Sequence, residues 1–166
     1  MKLLEGKESD IKTIQDLARR SWESVYVDLI SREQLEYMLS YMYSEEELKS
    51  HLANPNYHYY MIYDEKKDVY DGFIGFENQY EENTTKLHRI YLAPESKGKG
   101  LGKKTLQFVH EKVQELGDER IILEVNKNNP AKEFYKSQGY KIYEDTVIPI
   151  EQGFEMDVFL MDINLN

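Results

Sequence analysis

The stretch from Leu87 to Gly102, LHRIYLAPESKGKGLG, constrains the fold of this chain more than any other. Leu87, Ile90 and Leu92 make a strand, which Pro94 and Glu95 break. Gly98, Gly100 and Gly102 follow, a loop with almost no side-chain bulk. Beyond it Leu106, Val109, Val113 and Leu116 recur at helical spacing, and Gly117 is a stop signal. A strand that enters a helix through such a loop can aim several backbone N–H groups, and the positive helix end, at one anion.

The other elements read as a scaffold for that unit. Met1 to Leu4 is strand-like, and Ser9 or Asp10 caps a helix whose buried face is Ile11, Ile14, Ala18, Ser21 and Val25. Ser31 with Gln34 and Ser44 with Glu47 are capping-box signals for two further helices. The spans Tyr57 to Tyr63, Phe73 to Asn78 and Leu87 to Leu92 are joined by short polar turns, which predicts an antiparallel meander. Ile121 to Val125 is a short continuous apolar strand and should be central. Asn129 and Pro130 open a helix that runs through Phe134 and Tyr135 to Gly139. Tyr140 to Ile148 and Phe154 to Ile163 are the last two strands, with Pro149 to Gly153 as their hairpin loop. The fold class is therefore mixed α/β in one domain, residues 1–166. The strand–helix–strand unit from Leu87 to Val125 should be parallel and right-handed.

Composition narrows the function. The net charge of −10, from 21 basic and 31 acidic residues, argues against a nucleic-acid partner. No run is long enough to span a bilayer, so no membrane partner is expected. The start MKLLEGKESD turns polar too early for a secretory signal, and a cytoplasmic protein is the simplest expectation. There are no cysteines, which excludes disulfides, thiolate metal sites and a cysteine nucleophile. Against the acidic background Lys97, Lys99, Lys103 and Lys104 make the glycine loop locally basic.

Two well-known phosphate motifs fail on this loop. A GxxxxGK[ST] loop ending at Gly102-Lys103 would need glycine at 97 and a hydroxyl at 104, and both are lysine. A GxGxxG fingerprint would need glycine at Lys103 or Thr105. The pattern [Q/R]xxGxG/A does fit, as Lys97-Gly98-Lys99-Gly100-Leu101-Gly102. A second motif, NxxAxx[LF]YxxxG[FY], fits Asn128, Ala131, Phe134, Tyr135, Gly139 and Tyr140 in register. With both motifs at this separation the chain resembles the GNAT superfamily of N-acetyltransferases. The segments SWESVY, EYMLSYMYS and QGFEMDVFLM are similar to a bacterial subgroup related to spermidine/spermine acetyltransferases. The resemblance implies a twisted, mostly antiparallel sheet of about seven strands with a splayed parallel pair in the middle, flanked by four to five helices. It also implies acetyl-coenzyme A as cosubstrate and no metal. The departure is Lys97, where the family has glutamine or arginine; lysine keeps charge but loses the planar donor fork.

Acetyl transfer to an amine needs the amine deprotonated, the thioester oxygen stabilised and the thiolate held. The resemblance places the oxyanion donor at the backbone of Leu92, beside Ile90 and Tyr91, and makes Tyr135 the general acid. For the base, strand alternation puts Lys86, His88, Ile90 and Leu92 on one face and so aims His88 at the same cleft. Glu77 and Glu124 are rivals, and ordered water could serve instead. The pyrophosphate should lie on Lys97, Gly98, Lys99, Gly100, Leu101, Gly102 and Lys103, and the pantetheine arm on Asn128. Lys132 and Lys136 could meet the adenosine phosphates. Glu155 and Asp157 could receive a cationic acceptor. The expected reaction is transfer to a small primary amine such as a polyamine, by direct attack in a ternary complex. The alternatives are a peptide N-terminus or amino-acid amine as acceptor, or a coenzyme A-binding sensor without catalysis. The last strand and its tyrosine-rich neighbours could form a homodimer edge.

Overall fold

The computed structural model describes residues 1–96, 98–150 and 153–166. Strand β1 (Lys2–Glu5) leads into helices α1 (Ile11–Tyr26), α2 (Arg32–Met42) and α3 (Glu45–Ala53). Strands β2 (Tyr57–Asp64), β3 (Val69–Glu81) and β4 (Thr84–Leu92) form the meander. Helix α4 (Leu101–Glu115), strand β5 (Arg120–Asn126), helix α5 (Ala131–Ser137) and strands β6 (Lys141–Pro149) and β7 (Glu155–Asn164) complete the chain.

Local chemistry starts α2 and α3 as expected, whereas Asp10 stands before α1 without a side-chain cap, because its carboxylate accepts from Lys7 N–H at 2.9 Å. Ser31 and Ser44 accept hydrogen bonds from the N–H groups of Gln34 (3.0 Å) and Glu47 (3.1 Å), each side-chain cap being worth about 1 kcal/mol. The reciprocal half of each box goes elsewhere. Gln34 Nε2 donates to the Glu155 carbonyl, and Glu47 Oε1 meets His51 Nε2. Strand β3 is longer than the apolar run Phe73–Asn78, because its polar ends are held by ladder bonds to β2 and β4. The 149–153 hairpin loop includes residues 151 and 152, which lie outside the described residues.

One seven-stranded sheet runs in the order β1-β2-β3-β4-β5-β7-β6. Helices α1 to α3 cover one face, where Ile14, Trp22, Leu35, Tyr59 and Phe73 share a core. Helices α4 and α5 cover the other, over Ile74, Leu87, Leu106, Val109 and Ile121. Full burial of each such aliphatic side chain contributes about 1.5–3 kcal/mol. Among the described residues β4 and β5 are the only parallel pair. They share three rungs, Thr84↔Arg120, Thr85↔Ile121 and Lys86↔Ile122, and then part. Strand β5 stays paired with β7 along all of Arg120–Asn126, so it turns away with β7 and β6. The result is a V cut into the middle of the sheet.

Candidate active site

The V holds a cleft of about 470 Å³ whose walls come from elements far apart in sequence. Strand β4 forms one side and Leu123 to Val125 of β5 the other. The glycine loop and the first turn of α4 close one end, α5 flanks it, and Ser21, Val25 and Tyr26 of α1 cover it.

The pairing of β4 decides where its backbone points. Ala93 N–H donates to the Asp71 carbonyl at 2.7 Å, and the register sets Leu92 opposite Gly72. Antiparallel ladders alternate bonded and non-bonded pairs, so the N–H groups of Leu92 and Ile90 point away from β3. They point to the side that β5 has vacated. Gly72 permits this close pairing, since a Cβ there would lie 2.1 Å from the Tyr91 carbonyl oxygen. Ser21 Oγ donates to the Leu92 carbonyl at 3.2 Å and ties α1 to the same strand end.

The loop is shaped by conformation. Gly98 and Gly100 have φ of +84° and +71°, and a Cβ on either would meet nothing within 4 Å. Glycine is thus required there by the left-handed backbone, and the absence of side chains leaves the backbone open. Ser96 Oγ donates to Asp71 Oδ1 at 2.7 Å, both residues buried, which anchors the loop to β3. Gly102 sits under Phe134 of α5, 3.2 Å from where a Cβ would be. The first turn of α4 holds no acidic residue and carries Lys103 and Lys104. Cations there oppose the helix dipole until an anion joins them. Lys103 and Leu101 line the cleft. Lys99 faces Lys67 of the β2–β3 turn, whose like charge lowers its pKa. Lys97 lies outside the described residues.

Tyr135 is 8% exposed and lines the cleft from α5. Tyr140 lies edge-on to it at 5.6 Å and is itself held by His110 Nε2 at 2.9 Å. The Tyr135 phenol has no hydrogen-bond partner among the described residues. Burial, with Tyr140, Tyr91 and Tyr26 nearby, raises its pKa, so the phenol stays protonated.

His88 borders the cleft, but not on the face that alternation assigns. Gly75 pairs with Arg89 and Phe76 with Leu87, which leaves His88 as the extra residue of a β-bulge. Ile90 and Leu92 therefore pack with Leu87 on the α4 face. His88 turns to the other face and stacks on Tyr57 at 4.9 Å. Lys86 also lies apart from Ile90 and Leu92, bonding Glu124 at 2.9 Å beside the last rung. Because the sheet is split here, both faces border the same cleft. His88 Nε2 lies 3.0 Å from Glu77 Oε1. A carboxylate only accepts, so Nε2 carries the proton and Nδ1 is the free acceptor. Burial, then Lys86, Arg89 and His51, push this imidazole down to about 3, so it is neutral at physiological pH. Burial opposes the charge of Lys86, but Glu124 outweighs it and raises its pKa.

Other expected residues lie away from the cleft. Asn128 uses its N–H on Asn126 Oδ1, and Asn129 lines the cleft, donating from Nδ2 to the Tyr26 hydroxyl at 2.9 Å. Lys132 donates to the Lys127 carbonyl (2.7 Å) and lies over Phe159. Lys136 pairs with Glu133 at 3.7 Å on the surface. Asp157 pairs with Lys127 at 2.6 Å. Glu155 borders a small crevice with Trp22, Tyr26 and Gln34. Ser21, Tyr26 and Asn129 were not singled out from the sequence. Ser21, a hydroxyl on the apolar face of α1, was the available signal.

Comparison with known proteins agrees with this geometry. Residues 12–140 match the acetyltransferase (GNAT) family. A spermidine N(1)-acetyltransferase of Thermoplasma acidophilum is 29% identical over 140 residues, covering 82% of this chain and 85% of that one. An uncharacterized N-acetyltransferase in the pepI 3′ region of Lactobacillus delbrueckii subsp. lactis is 26% identical over 165 residues, covering 96% and 95%. The crystal structure of the PaiA N-acetyltransferase of T. acidophilum, in complex with coenzyme A, superposes with a TM-score of 0.81 at 26% identity, covering 99% of both chains. This chain belongs to the acetyltransferase (GNAT) family. No helix among the described residues is long and apolar enough to cross a membrane. No group of three or more His, Cys, Asp or Glu among them is placed to hold a metal ion.

Proposed function

We propose that this chain moves an acetyl group from acetyl-coenzyme A to the primary amine of a small cationic acceptor such as a polyamine, by direct attack in a ternary complex. The observation that carries this is the convergence of three groups on one cleft. These are the outward N–H groups of Leu92 and Ile90, the unpartnered phenol of Tyr135 and the His88–Glu77 pair. The similarity to a spermidine N(1)-acetyltransferase supports a polyamine acceptor, and the superposition on a coenzyme A complex supports the cosubstrate.

The residues fit that cosubstrate. The open backbone of Gly98 to Gly102, with Lys103, suits a pyrophosphate, and Asn129 suits an amide of the pantetheine arm. Acetyl-coenzyme A supplies the activated acetyl thioester. Leu92 N–H donates to the carbonyl oxygen as charge develops on it. His88 Nδ1 takes the amine proton while Nε2 passes its own to Glu77. An ammonium of pKa about 10.4 must lose that proton before it attacks. Tyr135 donates a hydrogen bond to the departing sulfur. A buried phenol is a weaker acid than a thiol of pKa about 8.5, so its contribution depends on position rather than acidity.

Tyr135→Phe tests the reading, with coenzyme A release measured across a panel of polyamines, amino acids and peptides. The expected result is turnover reduced about 100-fold with acetyl-coenzyme A affinity retained. Unchanged turnover removes Tyr135 from the mechanism. No turnover by the unmodified protein with any amine defeats the enzyme reading in favour of a sensor.

A further inference from the structure

Arg89 is the only buried lysine or arginine among the described residues, at 6% exposure. Nη1 donates to the Tyr59 hydroxyl and Nη2 to the Met42 carbonyl, both at 2.8 Å. The guanidinium lies over Tyr43, 4.3 Å from the ring centre. Met42 ends α2, so its carbonyl belongs to the negative end of that helix. No carboxylate among the described residues pairs with Arg89, so a whole positive charge is met only by partial ones. Arg89 directly follows the bulged His88 and shares its face of the sheet.

We propose that Arg89 is a positioning residue of the reaction: anchored to Tyr59 and the end of α2, it fixes the bulge that turns His88 to Glu77, and its uncompensated charge keeps that imidazole unprotonated between turnovers. This rests on the His88–Glu77 proton path proposed above. A histidine that stored the proton would leave the next acceptor without a base. With Arg89 in place the amine N–H bond breaks as Nδ1–H forms, and Nε2–H breaks as an O–H forms on Glu77. His88 stays neutral but ends with its proton on Nδ1; Glu77 then returns its proton to Nε2 as Nδ1 releases one to solvent, which restores the starting tautomer and the free acceptor.

The surroundings of His88 agree. Tyr57 of β2 stacks on it and Tyr80 of β3 meets it edge-on. Among the described residues Glu77 of β3 is the carboxylate in contact with it, at 3.0 Å. Lys86 of β4 pushes against its charged form, although Glu124 of β5 offsets much of that cation. His51 of α3 stacks on the far side of Tyr57. Burial and then Arg89 lower it too, against Glu47.

NMR titration of the intact protein tests this, with the His88 ring assigned through His88→Gln. The expected result is a neutral His88 from pH 5 to 8. Arg89→Gln should raise its midpoint by about one pH unit, the effect of one nearby charge in a part-buried site. The acid limb of kcat should move up with it, while KM for acetyl-coenzyme A stays unchanged. Arg89→Lys keeps the charge and should keep the midpoint low even where stability falls. A His88 midpoint near 6.5 in the unmodified protein overturns the proposal without any variant, whether or not Arg89→Gln folds. Equal shifts in the Gln and Lys variants overturn the charge argument. A His88→Gln protein with unchanged rate and pH profile overturns the proton path and this role together. Absence of transfer by the unmodified protein to any amine overturns instead the function proposed above.

Discussion

Replacing Gly72 by alanine tests whether the cleft works through the backbone of Leu92. The new Cβ would lie 2.1 Å from the Tyr91 carbonyl oxygen and 3.1 Å from the Leu92 Cα. Ordinary contact is about 3.5 Å, so β3 and β4 must part by about 1 Å at this rung. Past Lys86, β4 has lost β5, and β3 is its remaining ladder partner. The shift is therefore taken up by β4 and reaches Leu92 undamped. Overpacking of this kind costs about 1–3 kcal/mol, a fall of about 3–10 °C in Tm for a chain of this size. The kinetic effect should be larger, since about 1 Å of misplacement at a reacting centre costs about 100-fold in rate. Thermal melting and initial rates of coenzyme A release measure the two separately. Gly117→Ala is the control. It puts alanine in a left-handed backbone (φ +92°) just past α4, outside the cleft lining, and should cost about 1–2 kcal/mol of stability without the same loss of kcat. A folded Gly72→Ala protein with kcat within twofold of the unmodified one refutes the role given to Leu92.

Gly98→Ala makes the opposite trade: no clash but a left-handed backbone, at about 1–2 kcal/mol. It should raise KM for acetyl-coenzyme A about 10-fold and leave kcat near its original value, as steady-state kinetics would show. Asp118→Ala should cost about 2–3 kcal/mol in denaturant unfolding. The buried carboxylate accepts from Thr85 Oγ1 (2.7 Å), Gln79 N–H (2.9 Å) and the Gln79 side chain, and all three donors would be orphaned. Stability should fall with acid. His51, His88 and His110 all have folded pKa values below the unfolded 6.5, chiefly through burial. The unfolded chain thus binds more protons below that value, and stability present above pH 6.5 is lost toward the folded midpoints, about 3 for His88. Unfolding free energies measured from pH 7.5 to 4 should show this slope, and His88→Gln should flatten it.

What the sequence made legible was local. The strand–loop–helix unit, the caps at Ser31 and Ser44 and the register of Tyr135 with Gly139 and Tyr140 each depend on residues within a few positions of one another. The length of β3, the vacated edge beside Leu92 and the contribution of α1 depend on partners distant in sequence. The face of His88 shows why such features escape. Period-two alternation is a property of an unbroken ladder, and one extra residue between Leu87 and Arg89 reverses every later assignment. Nothing in LHRIY marks the bulge, because the partners of the adjoining Arg89, Tyr59 and Met42, lie on β2 and at the end of α2. That bulge also lets one strand serve two purposes. Ile90 and Leu92 stay with the aliphatic core under α4, and their N–H groups reach the vacated edge. His88 joins Tyr57 and Glu77 on the opposite face. In an unbroken strand His88 and Leu92 would share a face, and the imidazole would be packed among Leu87's neighbours without Glu77. The irregularity that defeats the sequence pattern is therefore the one that brings His88, proposed as the base, and the Leu92 N–H, proposed as the oxyanion donor, to a common cleft.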